Sequence, residues 1–144
     1  MTAIAGIIVP AKMGTIDPIL RKLAEAMSSR GSITGSLIIR EKAATLGIVS
    51  CSHQVEGPSY NSVQRTSLVA DGQVSADLQV EEIGGEIDAG TASETLRTGR
   101  PFAFLAISGG RLLAGRDPLG QKPLYAGKNR DGTIAIASLR AALE

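Results

Sequence analysis

Tryptophan is absent from this 144-residue chain, and it contains only two Phe and two Tyr. The core therefore has to be assembled from Ile, Leu, Val and Ala, and hydrophobic residues do make up 43% of the sequence. A single Cys excludes an internal disulfide and a thiolate zinc cluster. A single His excludes two-His metal motifs and leaves one candidate for a histidine base. No metal and no cofactor are expected. An excess of either charge is missing too, with 15 Lys+Arg against 14 Asp+Glu. Nucleic-acid binders normally carry a basic excess or stripe, so no nucleic-acid partner is expected. No apolar run approaches the roughly 20 residues that span a bilayer. The N-terminus lacks the basic and apolar regions of a secretory signal. The expectation is a cytoplasmic chain without membrane association. With 20% charged residues it reads as globular rather than disordered.

What is present begins with a short apolar run, Ala3-Ile4-Ala5-Gly6-Ile7-Ile8-Val9, ended by Pro10. It predicts a buried strand at the very start of the chain. Asp17 is then a candidate N-cap with Pro18 in the first helical position. Ile19, Leu20, Leu23, Ala24 and Met27 recur at helical spacing, which predicts an amphipathic helix over about 17–29. Residues 36–40 and 44–50 predict a hairpin, residues 52–62 with Gly57-Pro58 a loop, and residues 66–70 a strand entering a tight turn at Asp71-Gly72. Residues 73–100, with Glu81, Glu82, Glu86 and Asp88 among four glycines, predict an irregular solvated surface with one short helix near 92–96. Two further hairpins are expected. One joins 102–107 to 111–115 over Ser108-Gly109-Gly110, and the other joins 123–126 to 133–137 over residues 128–132. A terminal helix is expected over 138–143. No repeat or linker is visible, so the chain reads as one α+β domain, residues 1–144, dominated by antiparallel sheet.

The most specific string is Gly115-Arg116-Asp117-Pro118-Leu119-Gly120-Gln121-Lys122-Pro123-Leu124-Tyr125. By composition it is a turn between strands, with Gly120 suited to positive φ and Asp117 suited to anchoring Arg116 or nearby amides. Arg116, Asp117, Gly120 and Pro123 are thus its structural residues. As a string it resembles the R-D-x-x-G-x-x-P-L-Y signature of class II glutamine amidotransferase domains, above all those of asparagine synthetases. Other pieces follow in the family's order. Met1-Thr2-Ala3-Ile4-Ala5-Gly6-Ile7 resembles its M-C-G-I-x-G-I start. Met27-Ser28-Ser29-Arg30-Gly31 resembles its helix leading into R-G-P-D. Leu46-Gly47-Ile48-Val49 and Gly57-Pro58 resemble its L-S-I-x-D and G-x-Q-P. Leu68-Val69-Ala70-Asp71-Gly72-Gln73 resembles its strand into N-G-E, and Phe102-Ala103-Phe104-Leu105 its F-A-F-A. Residues 135–143 resemble its closing A-S-E-x-x-A-L.

The resemblance implies the N-terminal-nucleophile hydrolase sandwich, antiparallel β-sheets flanked by helices. It also implies glutamine as ligand. In the family an N-terminal Cys attacks the side-chain amide, its own α-amine acts as base, and the Asn and Gly of N-G-E stabilise the oxyanion. Carried over position by position, this sequence departs from that pattern. Thr2 stands where the Cys nucleophile should be, and Ala3 replaces Gly. Asp71 replaces the oxyanion-hole Asn, while Gly72 is retained and Gln73 replaces Glu. Arg30 and Gly31 match the carboxylate-binding Arg-Gly, but Ser32 and Ile33 replace Pro-Asp. In Gly90-Thr91-Ala92-Ser93-Glu94, Ala92 occupies the place of the amine-binding Asp. The stretch between Gly72 and Gly99 is also shorter than is usual in the family.

Each candidate also has an architectural reading. Thr2 is a β-branched strand residue, Arg30 a cation meeting a helix C-terminus, Cys51 a small core residue, and His53 a solvent-facing loop residue. Ser108-Gly109-Gly110 is similar to a nucleotide loop of the synthetase half, but Arg111-Leu112 lacks its Asp and the setting is a hairpin. The expectation is a stand-alone amidotransferase-like domain without a synthetase domain and without glutaminase activity, acting as a structural or regulatory partner of a separate synthetase or transferase chain. The alternatives are a Thr2-nucleophile amidohydrolase acting on glutamine or a related amide, and an amino-acid-binding sensor.

Overall fold

The computed structural model describes residues 2–13, 15–53, 59–61, 66–72, 102–117 and 119–144. Among the described residues, nine strands form two antiparallel sheets packed face to face. In chain order they are β1 (Thr2–Pro10), β2 (Ser32–Arg40), β3 (Ala44–Ser52), β4 (Ser59–Asn61), β5 (Thr66–Gly72), β6 (Phe102–Ser108), β7 (Arg111–Arg116), β8 (Tyr125–Lys128) and β9 (Ile134–Ala137). The five-stranded sheet has the order β2-β3-β1-β9-β8, and the four-stranded sheet the order β4-β5-β6-β7.

β1 is the central strand of the larger sheet and is covered on both faces. That is why its sequence is apolar at consecutive positions rather than alternating. Ile4 joins Leu46, Ile48, Val69, Ala103, Leu105 and Ile107 in the layer between the sheets. Ala3, Ala5, Ile7 and Val9 point the other way, under the helix α1 (Asp17–Ala26). Gly6 lets the second sheet come close: a Cβ there would sit 3.3 Å from Leu105 and Leu112 methyls. Ile16, Leu20, Leu23, Ala24 and Met27 form the helical stripe that packs on β1 and β3. Among the described residues α1 is the α-helical layer, and no helix is long and apolar enough to cross a membrane.

Several local expectations are corrected. The cap of α1 is Ile16, with no side-chain cap bond; its carbonyl accepts the Ile19 and Leu20 amides at 3.1 and 3.0 Å. Asp17 lies within the first turn, where Arg40 reaches it at 3.8 Å. The helix ends at Ala26 and is followed by a 3-10 turn, Ser28–Arg30. Asp71-Gly72 is not a turn: both residues continue β5, paired with Ala103 and Phe102 of β6. Part of the expected 52–62 loop is strand β4, paired with β5. The C-terminal helix is only a 3-10 turn, Arg140–Leu143, because Leu139 is still extended and Ser138 still bonds to β1. Residues 73–100, with Ala92, the acidic group and the short helix expected near 92–96, lie outside the described residues, as do Gly57, Pro58 and Pro118.

Candidate functional site

Thr2 opens the central strand. Its register partner is Ser52 of β3, and Ser52 is in turn paired with Ser32 of β2, so three hydroxyl-bearing residues stand in one row. Residues in one row share a face, and Ile4, two positions along, belongs to the layer between the sheets. The row therefore faces the second sheet. A bulge in β2 between Ile33 and Gly35 adds Thr34 to the same end, where its hydroxyl lies 3.1 Å from that of buried Ser50. Bulges aim a side chain away from the regular alternation, which is how Thr34 reaches a residue of the inner face.

Two backbone devices hold this end in place. Ser138, at the end of β9, accepts the Ile4 amide on its hydroxyl at 3.0 Å and donates its own amide to the Ile4 carbonyl at 2.9 Å. Both main-chain groups of a residue next but one to Thr2 are thereby satisfied. Gly31 closes the other side. Its φ is +118°, and a Cβ would land on the Ser52 carbonyl and the His53 amide, so only glycine fits. The 3-10 turn that carries Arg30 is thus pressed against the end of β3. Gly31 thus meets Ser52, the strand neighbour of Thr2. Arg30 itself is half-buried at the end of that turn.

Asp71 and Gly72 end β5 in the opposite sheet, and Val69, two residues before Asp71, packs in the cluster that holds Ile4. Cys51 is buried on the α1 side of β3, its sulfur 3.9 Å from the Ala24 carbonyl, and burial pushes its thiol above its ordinary value. It faces away from the Thr2 row. His53 is exposed, with Nε2 3.3 Å from the Ser29 carbonyl.

The Arg116–Pro123 segment sits elsewhere. It leaves β7, an edge strand of the four-stranded sheet, and enters β8, an edge strand of the five-stranded sheet. It joins edges, not central strands, and carries the chain from one sheet to the other. Asp117 is only 3% exposed. Its carboxylate accepts the Gln121 amide at 2.8 Å and the Lys122 amide at 3.1 Å, and its carbonyl accepts the Gly120 amide at 2.9 Å. Gly120 has φ +65°, and the Arg116 guanidinium lies over it, 3.3 Å from the place of a Cβ. Pro123 is exposed.

No family model and no curated protein matches this sequence. The structure is nevertheless similar to that of glutamine phosphoribosylpyrophosphate amidotransferase from B. subtilis, solved with ADP and GMP. The TM-score is 0.70 at 15% identity, over 98% of this chain and 42% of that one. The fold is that of the N-terminal-nucleophile hydrolases. This chain spans less than half the length of that amidotransferase. At the start of β1 the register gathers the hydroxyl-bearing residues Thr2, Ser52 and Ser32, with Thr34 beside them. Ser138 and the serines of β3 were not singled out from sequence. The one signal was the Ala137-Ser138 pair at the end of a strand; the pairing with Ile4 spans 134 positions and leaves no local pattern.

Proposed function

We propose that this chain is an amidotransferase-type domain, akin to that of asparagine synthetases, which has lost glutamine hydrolysis and serves as a structural or regulatory partner of a separate synthetase or transferase chain. The observation that carries the reading is Thr2 at the head of the central strand, with the chain's one thiol, Cys51, buried on the opposite face of the sheet. A threonine hydroxyl is far less acidic than a thiol and needs strong activation by a base. Asp71 is a second support. A carboxylate at the position matching the oxyanion-hole Asn opposes developing negative charge, where loss of one donor alone costs about 3–4 kcal/mol. Against these losses, the scaffold around the site is retained: Arg30, Gly31 and Gly72 match the family pattern.

The test is ammonia release from glutamine by the purified chain, with intact-mass measurement of the N-terminus. The expected result is no turnover in the parent and none in Thr2→Cys, because Asp71 and Ala92 remain. Ammonia release that disappears in Thr2→Ala would establish the Thr2-nucleophile amidohydrolase instead. Glutamine binding without turnover, weakened by Arg30→Ala, would establish an amino-acid sensor.

A further inference from the structure

Four strands end the two sheets, and they are not alike. β4 is three residues long. β8 has four residues, is exposed throughout and closes on Lys128, and β7 begins and ends in arginine. Short length and charge are the usual protection of an edge against pairing with another chain. β2 has neither: it runs for nine residues, and its one charge is Arg40, its last residue. It is also apolar on both faces. Leu37 and Ile39 pack toward the layer between the sheets. Ile38 packs toward α1, and Ile33, paired with Cys51 on that same face, is 52% exposed. Two-sided apolarity belongs to strands inside a sheet, as in β1. Among the described residues, however, β3 is the one strand neighbour of β2. A groove of about 160 Å3 lies on the α1 face of this edge, bordered by Leu20 and Arg21 of α1 and by Ser36 and Ile38 of β2.

We propose that β2 pairs antiparallel with β2 of a second copy of this chain, about a two-fold axis at Leu37, so that the five-stranded sheet continues through a dimer. The backbone fixes the class of occupant. In an antiparallel strand alternate residues turn their amide and carbonyl away from the first neighbour, and an extended chain answers that pattern. Side-chain size fixes the copy and the register. With Leu37 facing its equivalent, Gly35 stands opposite the partner's Ile39, and Ser36 opposite the partner's Ile38. Each large side chain then meets a small one on its own face. The partner's Ile38 enters the groove beside Ser36; a cavity of ~150 Å3 takes a benzene-sized molecule, so a branched aliphatic side chain fits. Moving the axis to Ile38 would set Ile38 against itself and Leu37 against Ile39, large on large. Moving it to Ser36 would meet the bulge between Ile33 and Gly35. Antiparallel pairing also leaves the two Arg40 side chains at opposite ends, where a parallel pair would bring them together. The contact is the same patch on both copies and closes as a dimer.

The experiment is sedimentation velocity on the full chain over a concentration series, with variants of β2. The parent is expected to pass from monomer to dimer as concentration rises. Ser36→Lys puts an ammonium opposite the partner's Ile38; Ser36 is exposed, so the fold should persist. The change occurs twice in a two-fold contact, and dimerisation should weaken about tenfold or more. Leu37→Cys reads the register. Opposed Cα atoms lie ~4.5–5.5 Å apart, within reach of a disulfide, so oxidation should link two copies. Ile39→Cys lies on the same face but about 13 Å along the strand from its equivalent, and should not link. Cys51 is buried and does not compete. Should circular dichroism show Ser36→Lys unfolded, the two cysteine variants decide alone. A parent that stays monomeric throughout the series, a dimer unweakened by Ser36→Lys, or equal cross-linking of Leu37→Cys and Ile39→Cys would each overturn the proposal.

Discussion

Asp117 shows how one buried carboxylate organises a segment. Both of its oxygens are committed to amides four and five residues further along the turn, and its carbonyl takes a third. Removing it takes away the acceptor of the Gln121 and Lys122 amides, in part-buried bonds that fix the turn. Asp117→Ala should therefore lower stability by about 1–3 kcal/mol, read from urea or thermal melts. Gly120→Val should cost at least as much, because a β-branched residue at φ +65° is strained and its side chain meets the Arg116 guanidinium. Parent-like melts for both variants would mean that the turn is not structural. Ser138 is the second such residue. Ser138→Ala leaves the buried Ile4 amide without its acceptor, again about 1–3 kcal/mol. Hydrogen exchange should localise the effect, with the Ile4 amide exchanging faster while α1 keeps its protection.

At the scale of elements, α1 is held by its buried stripe rather than by its ends. No side chain caps its N-terminus, and Asp17 makes one long, solvent-exposed ion pair with Arg40. Exposed pairs of this kind contribute about 0–1 kcal/mol, whereas a true N-cap typically contributes about 1 kcal/mol. Asp17→Ala should then change the melting midpoint only marginally, and a full capping loss would contradict the geometry. β3 carries a different lever. Cys51 is buried between β3 and α1, and desolvation raises its thiol above the ordinary 9.0. The unfolded chain therefore ionises first as pH rises. The contribution of the neutral thiol is complete below the unfolded value and is lost as pH climbs toward the folded one. Urea midpoints should fall above about pH 9 more steeply for the parent than for Cys51→Ala. Thiol reagents should modify the native protein far more slowly than the unfolded chain.

For the whole molecule, two sheets share one aliphatic layer, and the Arg116–Pro123 turn ties β7 of one sheet to β8 of the other. Much of this was written locally. The 102–107/111–115 hairpin reflects a two-residue Gly-Gly turn between apolar runs. The unbroken hydrophobicity of residues 3–9 announced a strand covered on both faces. The order of the resembling motifs implied the hydrolase sandwich. Such features depend on neighbours a few residues apart, so sequence alone determines them. The assignment of strands to sheets depends on distant partners. Asp71-Gly72 has the composition of a turn, but pairing with Phe102 and Ala103 holds it extended, because backbone groups in a packed layer must find hydrogen bonds. The short strand β4, the bond from Ile4 to Ser138 and the convergence of Gly31 on Ser52 were decided the same way. The sequence by itself determined the apolar strands and the hairpins between them. The tertiary structure decided which hydroxyl-bearing residues gather at the head of β1 and which apolar strand ends at a sheet edge, since both are set by contacts between residues far apart in the chain.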